Sequence, residues 1–218
     1  MHGGAWRSGL RDDLGPRFRA WRPGPFARLA RAGFAVVCPD YRLSGEARFP
    51  APLDDLHAAL AWLRTRAGEL GTDPGRTVVW GESAGGHLAA LLALTADAPL
   101  RGCVVWYAPS DLTAASPHTP EAALLGAPAA EAPERARAAS PVARAGRGAP
   151  PFLILHGDAD TVVPLSQGEA LTAALTSAGT PVAFRAVAGA DHLWIGAAEP
   201  DVEQCFASSL DFARSLTG

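Results

Sequence analysis

Short uninterrupted apolar runs alternate along this chain with stretches in which apolar residues recur every three or four positions. Phe34-Ala35-Val36-Val37-Cys38, stopped by Pro39, reads as a buried strand. From Leu53 onward, Leu56, Leu60 and Leu63 recur at helical spacing and predict an amphipathic helix ending near Gly68 to Gly71. Thr77-Val78-Val79-Trp80 is a second buried strand, Leu88, Leu91 and Leu92 mark a helix, and Cys103-Val104-Val105-Trp106 is a third strand. Phe152 to Leu155 reads as another strand, followed by a helix from about Ser166 to Ser177 and a strand from Val182 to Val187. A final helix carries Val202, Cys205, Phe206, Ser209 and Leu210 on one face.

Between these blocks, residues 108–148 break the rhythm. They are rich in Ala and Pro and only weakly periodic, and they read as a cap-like excursion from one domain spanning residues 1–218. Strand-helix alternation on either side implies the α/β class, a mostly parallel sheet with helices on both faces. Functional groups in such sheets lie on loops at the carboxyl ends of the strands.

Composition narrows the classes. At 48% hydrophobic and 19% charged residues the chain is an ordinary soluble globular protein. A formal net charge of -3 gives no reason to expect nucleic acid or acidic lipid as a partner. No stretch approaches a membrane span, and no apolar leader opens the chain. Cys38, Cys103 and Cys205 have no C-x-x-C spacing and read as buried free thiols in a reducing compartment, so a cytoplasmic location is expected.

The chemistry centres on Gly81-Glu82-Ser83-Ala84-Gly85, between a predicted strand and a predicted helix. In that context G-x-S-x-G forms a tight turn that lifts the serine hydroxyl above the sheet at a helix N-terminus, and Ser83 is the expected nucleophile. A serine hydroxyl needs a general base. His192 follows the last strand, where a loop can reach over the sheet, and is preferred among the six histidines. His57 and His87 lie on helices, His118 lies in the excursion, His156 ends a strand, and His2 belongs to another motif. The acid that orients His192 is expected after the Phe152 to Leu155 strand. Asp160 is favoured over Asp158, which is nearer the strand, and over Asp191, whose adjacency to His192 disfavours alignment. Oxyanion donors are expected from Ala84 and from the glycine-rich His2-Gly3-Gly4-Ala5-Trp6.

Five motifs together resemble the α/β-hydrolase esterases: His2-Gly3-Gly4-Ala5-Trp6, Asp40-Tyr41-Arg42-Leu43, Gly81-Glu82-Ser83-Ala84-Gly85-Gly86-His87, His156-Gly157-Asp158-Ala159-Asp160 with Val163-Pro164, and Gly189-Ala190-Asp191-His192. The nearest branch contains BD-FAE-type, hormone-sensitive-lipase-like and kynurenine-formamidase-like enzymes. The resemblance implies the α/β-hydrolase fold, a triad of Ser83, Asp160 and His192, and Gly3, Gly4, Ala5 and Ala84 around the oxyanion. It implies hydrolysis of a small carboxylic ester, or of an aryl formamide, with no metal and no organic cofactor. Trp6, Trp194 and the excursion are expected to shape the pocket, with core packing an equal reading for both aromatics.

In that family the H-G-G loop follows a central strand preceded by two more, so the chain is expected to lack its N-terminal strands. One of these would lie between the Phe34 and Val78 strands, and a gap there leaves unpaired backbone groups costing about 1–3 kcal/mol each if buried. Two alternatives therefore stand beside the esterase: an amide or peptide hydrolase of formamidase or aminopeptidase type, and an inactive truncated fragment or binding module.

Overall fold

Strand formation follows the apolar runs, and the two faces of each strand serve two different cores. The computed structural model describes residues 1–218 except position 99. Its sheet comprises β1 (Val78–Glu82), β2 (Gly102–Trp106), β3 (Phe152–Gly157) and β4 (Val182–Val187), all parallel and in the order β1-β2-β3-β4. Side chains alternate across a strand. Cys103, Val105, Phe152 and Ile154 therefore enter one cluster, and Val104, Trp106, Leu153 and Leu155 enter the other.

Strand order explains which segment covers which face. Parallel crossovers are right-handed, so strands added in one direction place every connection on the same side. That side holds α4 (Ala84–Thr95) and α8 (Leu165–Ser177), joined by α2 (Ala51–Thr65), whose Leu53, Leu56 and Leu60 are buried there. The opposite face is closed by segments outside the crossovers. These are Phe18 and Trp21, the partly buried Phe26 and Leu29 of α1 (Pro25–Arg31), and Val202, Cys205 and Phe206 of α9 (Glu199–Thr217).

The remaining helices are short: α3 (Ala67–Leu70), α5 (Pro120–Leu125), α6 (Pro133–Ala138) and α7 (Pro141–Arg144). The helix expected to run from Leu53 towards Gly71 is broken at Arg66, and α3 ends where Gly71 turns left-handed at φ 62°. Residues 108–148 hold α5 to α7, and Leu112, Leu124 and Leu125 are buried in the first cluster. No helix among the described residues is long and apolar enough to cross a membrane.

Two expectations are corrected here. Phe34 to Cys38 is not a strand; it runs without ladder partners, Val36 and Val37 are exposed, and Cys38 is only half-buried. An apolar run becomes a strand only when another edge takes its N–H and C=O groups, and here a groove of about 610 Å³ separates it from β1. Along that edge of β1, Met1 donates to Trp80 O and accepts from Glu82 N at 3.3 Å, which is parallel pairing centred on Gly81.

Candidate active site

β1 runs straight into the turn that carries Ser83, and α4 begins at the next residue. Ser83 has φ 52° and ψ -124°, a conformation that costs a residue with a side chain about 1–3 kcal/mol. The flanking glycines make room for it. A Cβ on Gly81 would collide with the Gly85 carbonyl, and one on Gly85 would collide with His2 O. Ser83 Oγ lies 2.9 Å from His192 Nε2.

His192 arrives on the loop between β4 and α9, and its Nδ1 lies 2.8 Å from Asp160 Oδ2. Asp160 comes from the loop after β3, and its side chain has no exposed surface. Its other oxygen accepts the N–H groups of Val162 at 2.9 Å and Val163 at 2.8 Å, so the carboxylate cannot swing away from the imidazole without losing two bonds. His156 sits 3.6 Å from the same carboxylate but donates from Nε2 to Val163 O at 2.8 Å, and burial lowers its pKa. It buttresses the acid loop as a neutral ring.

The rival carboxylates have other partners. Asp158 accepts from Gly189 N at 2.7 Å. Asp191 accepts from Thr161 N and from its neighbour's N–H, His192 N, each at 2.7 Å; the Thr161 N–H, then that of His192, holds it below the usual carboxylate range. Both fasten the loop that carries Asp160 to the loop that carries His192.

The glycine-rich loop lies across the N-terminus of α4. Tyr41 donates its phenol to His2 O at 2.9 Å and stacks on the His2 ring at 4.4 Å. Trp6 Nε1 donates to His87 Nδ1 at 3.2 Å, and His87 Nε2 donates to Ala139 O at 2.7 Å. Burial drives the His87 pKa down to about 4, so it stays neutral. Gly3 N–H is already committed to Glu82 Oε1. Among the described residues the N–H groups of Gly4, Ala5 and Ala84 have no acceptor. Of the four residues expected around an oxyanion, Gly3 is therefore engaged and three present free donors.

Trp6 and Trp194 are buried in the first and second clusters, with 1% and 0% of their surface exposed. Trp194 packs edge-on against Trp106 and Tyr107. His57 meets Thr95 Oγ1 at 3.0 Å, and His118 is exposed on the excursion. Two residues near the site carried no sequence signal. Glu82 stood as the variable position of its motif, and Tyr107, whose ring lies 5.0 Å from that of His192, directly follows the third apolar run. Among the described residues no group of three His, Cys, Asp or Glu side chains is placed to hold a metal ion.

The BD-FAE family model matches residues 1–175. The esterases LipQ and LipC of Mycobacterium tuberculosis are each 32% identical over 87% of this chain. The match takes in 48% of LipQ and 51% of LipC, so the chain spans about half the length of these curated relatives. A truncated form of a carbohydrate esterase from gut microbiota superposes with a TM-score of 0.84 at 28% identity, covering 99% of this chain and 84% of that one.

Proposed function

Because the chain belongs to the BD-FAE family of α/β-hydrolases, we propose that it hydrolyses a small-molecule carboxylic ester through an acyl-enzyme. The observation that carries this reading is the unbroken relay from Ser83 Oγ to His192 Nε2 at 2.9 Å and from His192 Nδ1 to Asp160 Oδ2 at 2.8 Å. His192 Nε2 takes the hydroxyl proton as Ser83 Oγ attacks the ester carbonyl. Asp160 stabilises the imidazolium and holds its orientation. Negative charge on the carbonyl oxygen falls to the free N–H groups of Gly4, Ala5 and Ala84, reinforced by the positive end of α4. Collapse expels the alcohol, which receives the proton from His192. Water then attacks the acyl carbonyl as His192 takes one of its protons, and on collapse Ser83 Oγ leaves and recovers that proton from His192 as the acid departs.

Two further points belong to this reading. The named esterase relatives favour an ester over an amide or formamide substrate, and the likeness to a carbohydrate esterase supports including acetylated sugars among those tested. A cytoplasmic site of action is consistent with three free thiols. The test is a fluorophosphonate probe together with a panel of aryl esters, acetylated sugars, formamides and aminoacyl anilides. Labelling and ester turnover that both vanish in Ser83→Ala are the expected result. A folded protein that neither labels nor turns over any ester refutes the proposal.

A further inference from the structure

Glu82, the residue just before Ser83, is a carboxylic acid with 4% of its surface exposed; among the described residues no Lys or Arg side chain pairs with it, and burial raises its pKa. An ionisable group held in such a place costs several kcal/mol unless its oxygens are used. One of them is used: Oε1 accepts the N–H of Gly3, 79 residues away in the sequence. Gly3 fits this acceptor tightly. A Cβ there would meet both carboxylate oxygens and lie 2.7 Å from Glu82 Cδ. The second oxygen, Oε2, is buried without a partner, as is the Tyr107 hydroxyl. Burial first, and then the nearby Glu82 carboxylate, push the phenol well above its ordinary pKa. Tyr107 in turn packs edge-on against His192 with ring centres 5.0 Å apart.

Both ends of the bond between Gly3 and Glu82 are buried, so neither can exchange its partner for water without leaving the other unsatisfied. The bond fixes the plane of the Gly3 peptide, and the next N–H in the chain is the free donor of Gly4. We propose that Glu82 is the positioning residue of the oxyanion loop: it clamps Gly3 N–H so that Gly4 N–H stays turned toward the carbonyl attacked by Ser83. This rests on the hydrolase reading above. Glu82 touches no reacting atom. It acts through Gly3, and it requires an acceptor oxygen at the reach of a glutamate side chain rather than a negative charge.

That requirement separates three variants. Glu82→Asp keeps the charge but withdraws the oxygens from Gly3 by one methylene; Glu82→Gln keeps reach and acceptor and discards the charge; Glu82→Ala removes both. With p-nitrophenyl acetate, Glu82→Asp and Glu82→Ala are expected to lose at least about tenfold in kcat with KM within about twofold, short of the 10²–10³ lost with a whole oxyanion donor. Glu82→Gln is expected to recover most of kcat. Amide hydrogen exchange read at Gly3 by NMR should accelerate in Asp and Ala and stay slow in Gln. The opposite order, Asp active and Gln inactive, overturns the clamp in favour of a charge effect. Unchanged Gly3 exchange in Glu82→Asp overturns it too, and this arm reads the clamp even if no ester is turned over. Wild-type labelling lost in Ser83→Ala reports separately on the hydrolase reading. Should Glu82→Ala fail to fold, the contrast between Asp and Gln decides.

Discussion

Asp191 accepts the Thr161 N–H at 2.7 Å and thereby joins the loop that carries Asp160 to the loop that carries His192. Asp160 and His192 are 32 residues apart on different loops, and their 2.8 Å contact is only as stable as the distance between those loops. Asp191→Ala is therefore expected to lower kcat by about tenfold while leaving fluorophosphonate labelling detectable, because angstrom-scale misplacement costs up to about 10²-fold. Steady-state kinetics on the variant checks this. A loss as large as that of Ser83→Ala would move Asp191 into the relay itself.

The same residue makes stability depend on pH. Its folded pKa is depressed, chiefly by the Thr161 N–H, so its contribution is present above the unfolded carboxylate value and fades as pH falls through the folded one. Asp191→Asn should flatten the acid limb of a plot of Tm against pH.

His87 acts at higher pH with the same sign. Burial lowers its folded pKa to about 4 from the ordinary imidazole value of about 6.5, so the unfolded chain binds its proton first on acidification. Stability is full above pH 6.5 and declines toward pH 4, by roughly 3 kcal/mol from this residue at 1.36 kcal/mol per unit. An NMR titration of the His87 ring should find its midpoint near 4. A midpoint near 6.5 would show that the Trp6–His87–Ala139 chain is open to solvent.

Trp194 offers a test of core against pocket. With 0% of its surface exposed, Trp194→Ala should destabilise the fold by about 3–5 kcal/mol. Urea denaturation measures that loss. A variant of unaltered stability and raised KM would instead make Trp194 a substrate wall.

At Gly85 the constraint is space. A methyl there meets His2 O, so Gly85→Ala should displace the glycine-rich loop and reduce kcat by about 10²-fold, comparable to losing an oxyanion donor. Activity within twofold of the parent would mean that the loop has room to retreat.

Most of the sheet was legible because its strands follow short runs dominated by apolar residues, and the loops that carry Ser83, Asp160 and His192 leave strand ends that the same pattern locates. Phe34 to Cys38 shows the limit. Its sequence is as strand-like as that of β2, but a strand is made by its neighbour, and across the groove no edge is within reach. α1 and the helices of residues 108–148 escaped because Ala, Pro and Arg carry little periodic signal; Leu112, Leu124 and Leu125 are the large apolar residues that anchor that segment in the core. Ser83, His192 and Asp160 could be chosen by chemical type and loop position. Glu82 and Tyr107 could not, since their partners lie far away in the chain and only folding puts a carboxylate beside Gly3.

The interlock of Gly3 and Glu82 also restricts how this protein can be varied. A side chain at position 3 meets the carboxylate end of Glu82, which must shift to admit it, and a shorter residue at 82 leaves the Gly3 N–H without that acceptor. A library randomised at position 3 alone is expected to favour glycine. One that randomises both positions samples a landscape in which the two residues inherit each other's changes, and any new oxyanion loop must be sought there as a pair.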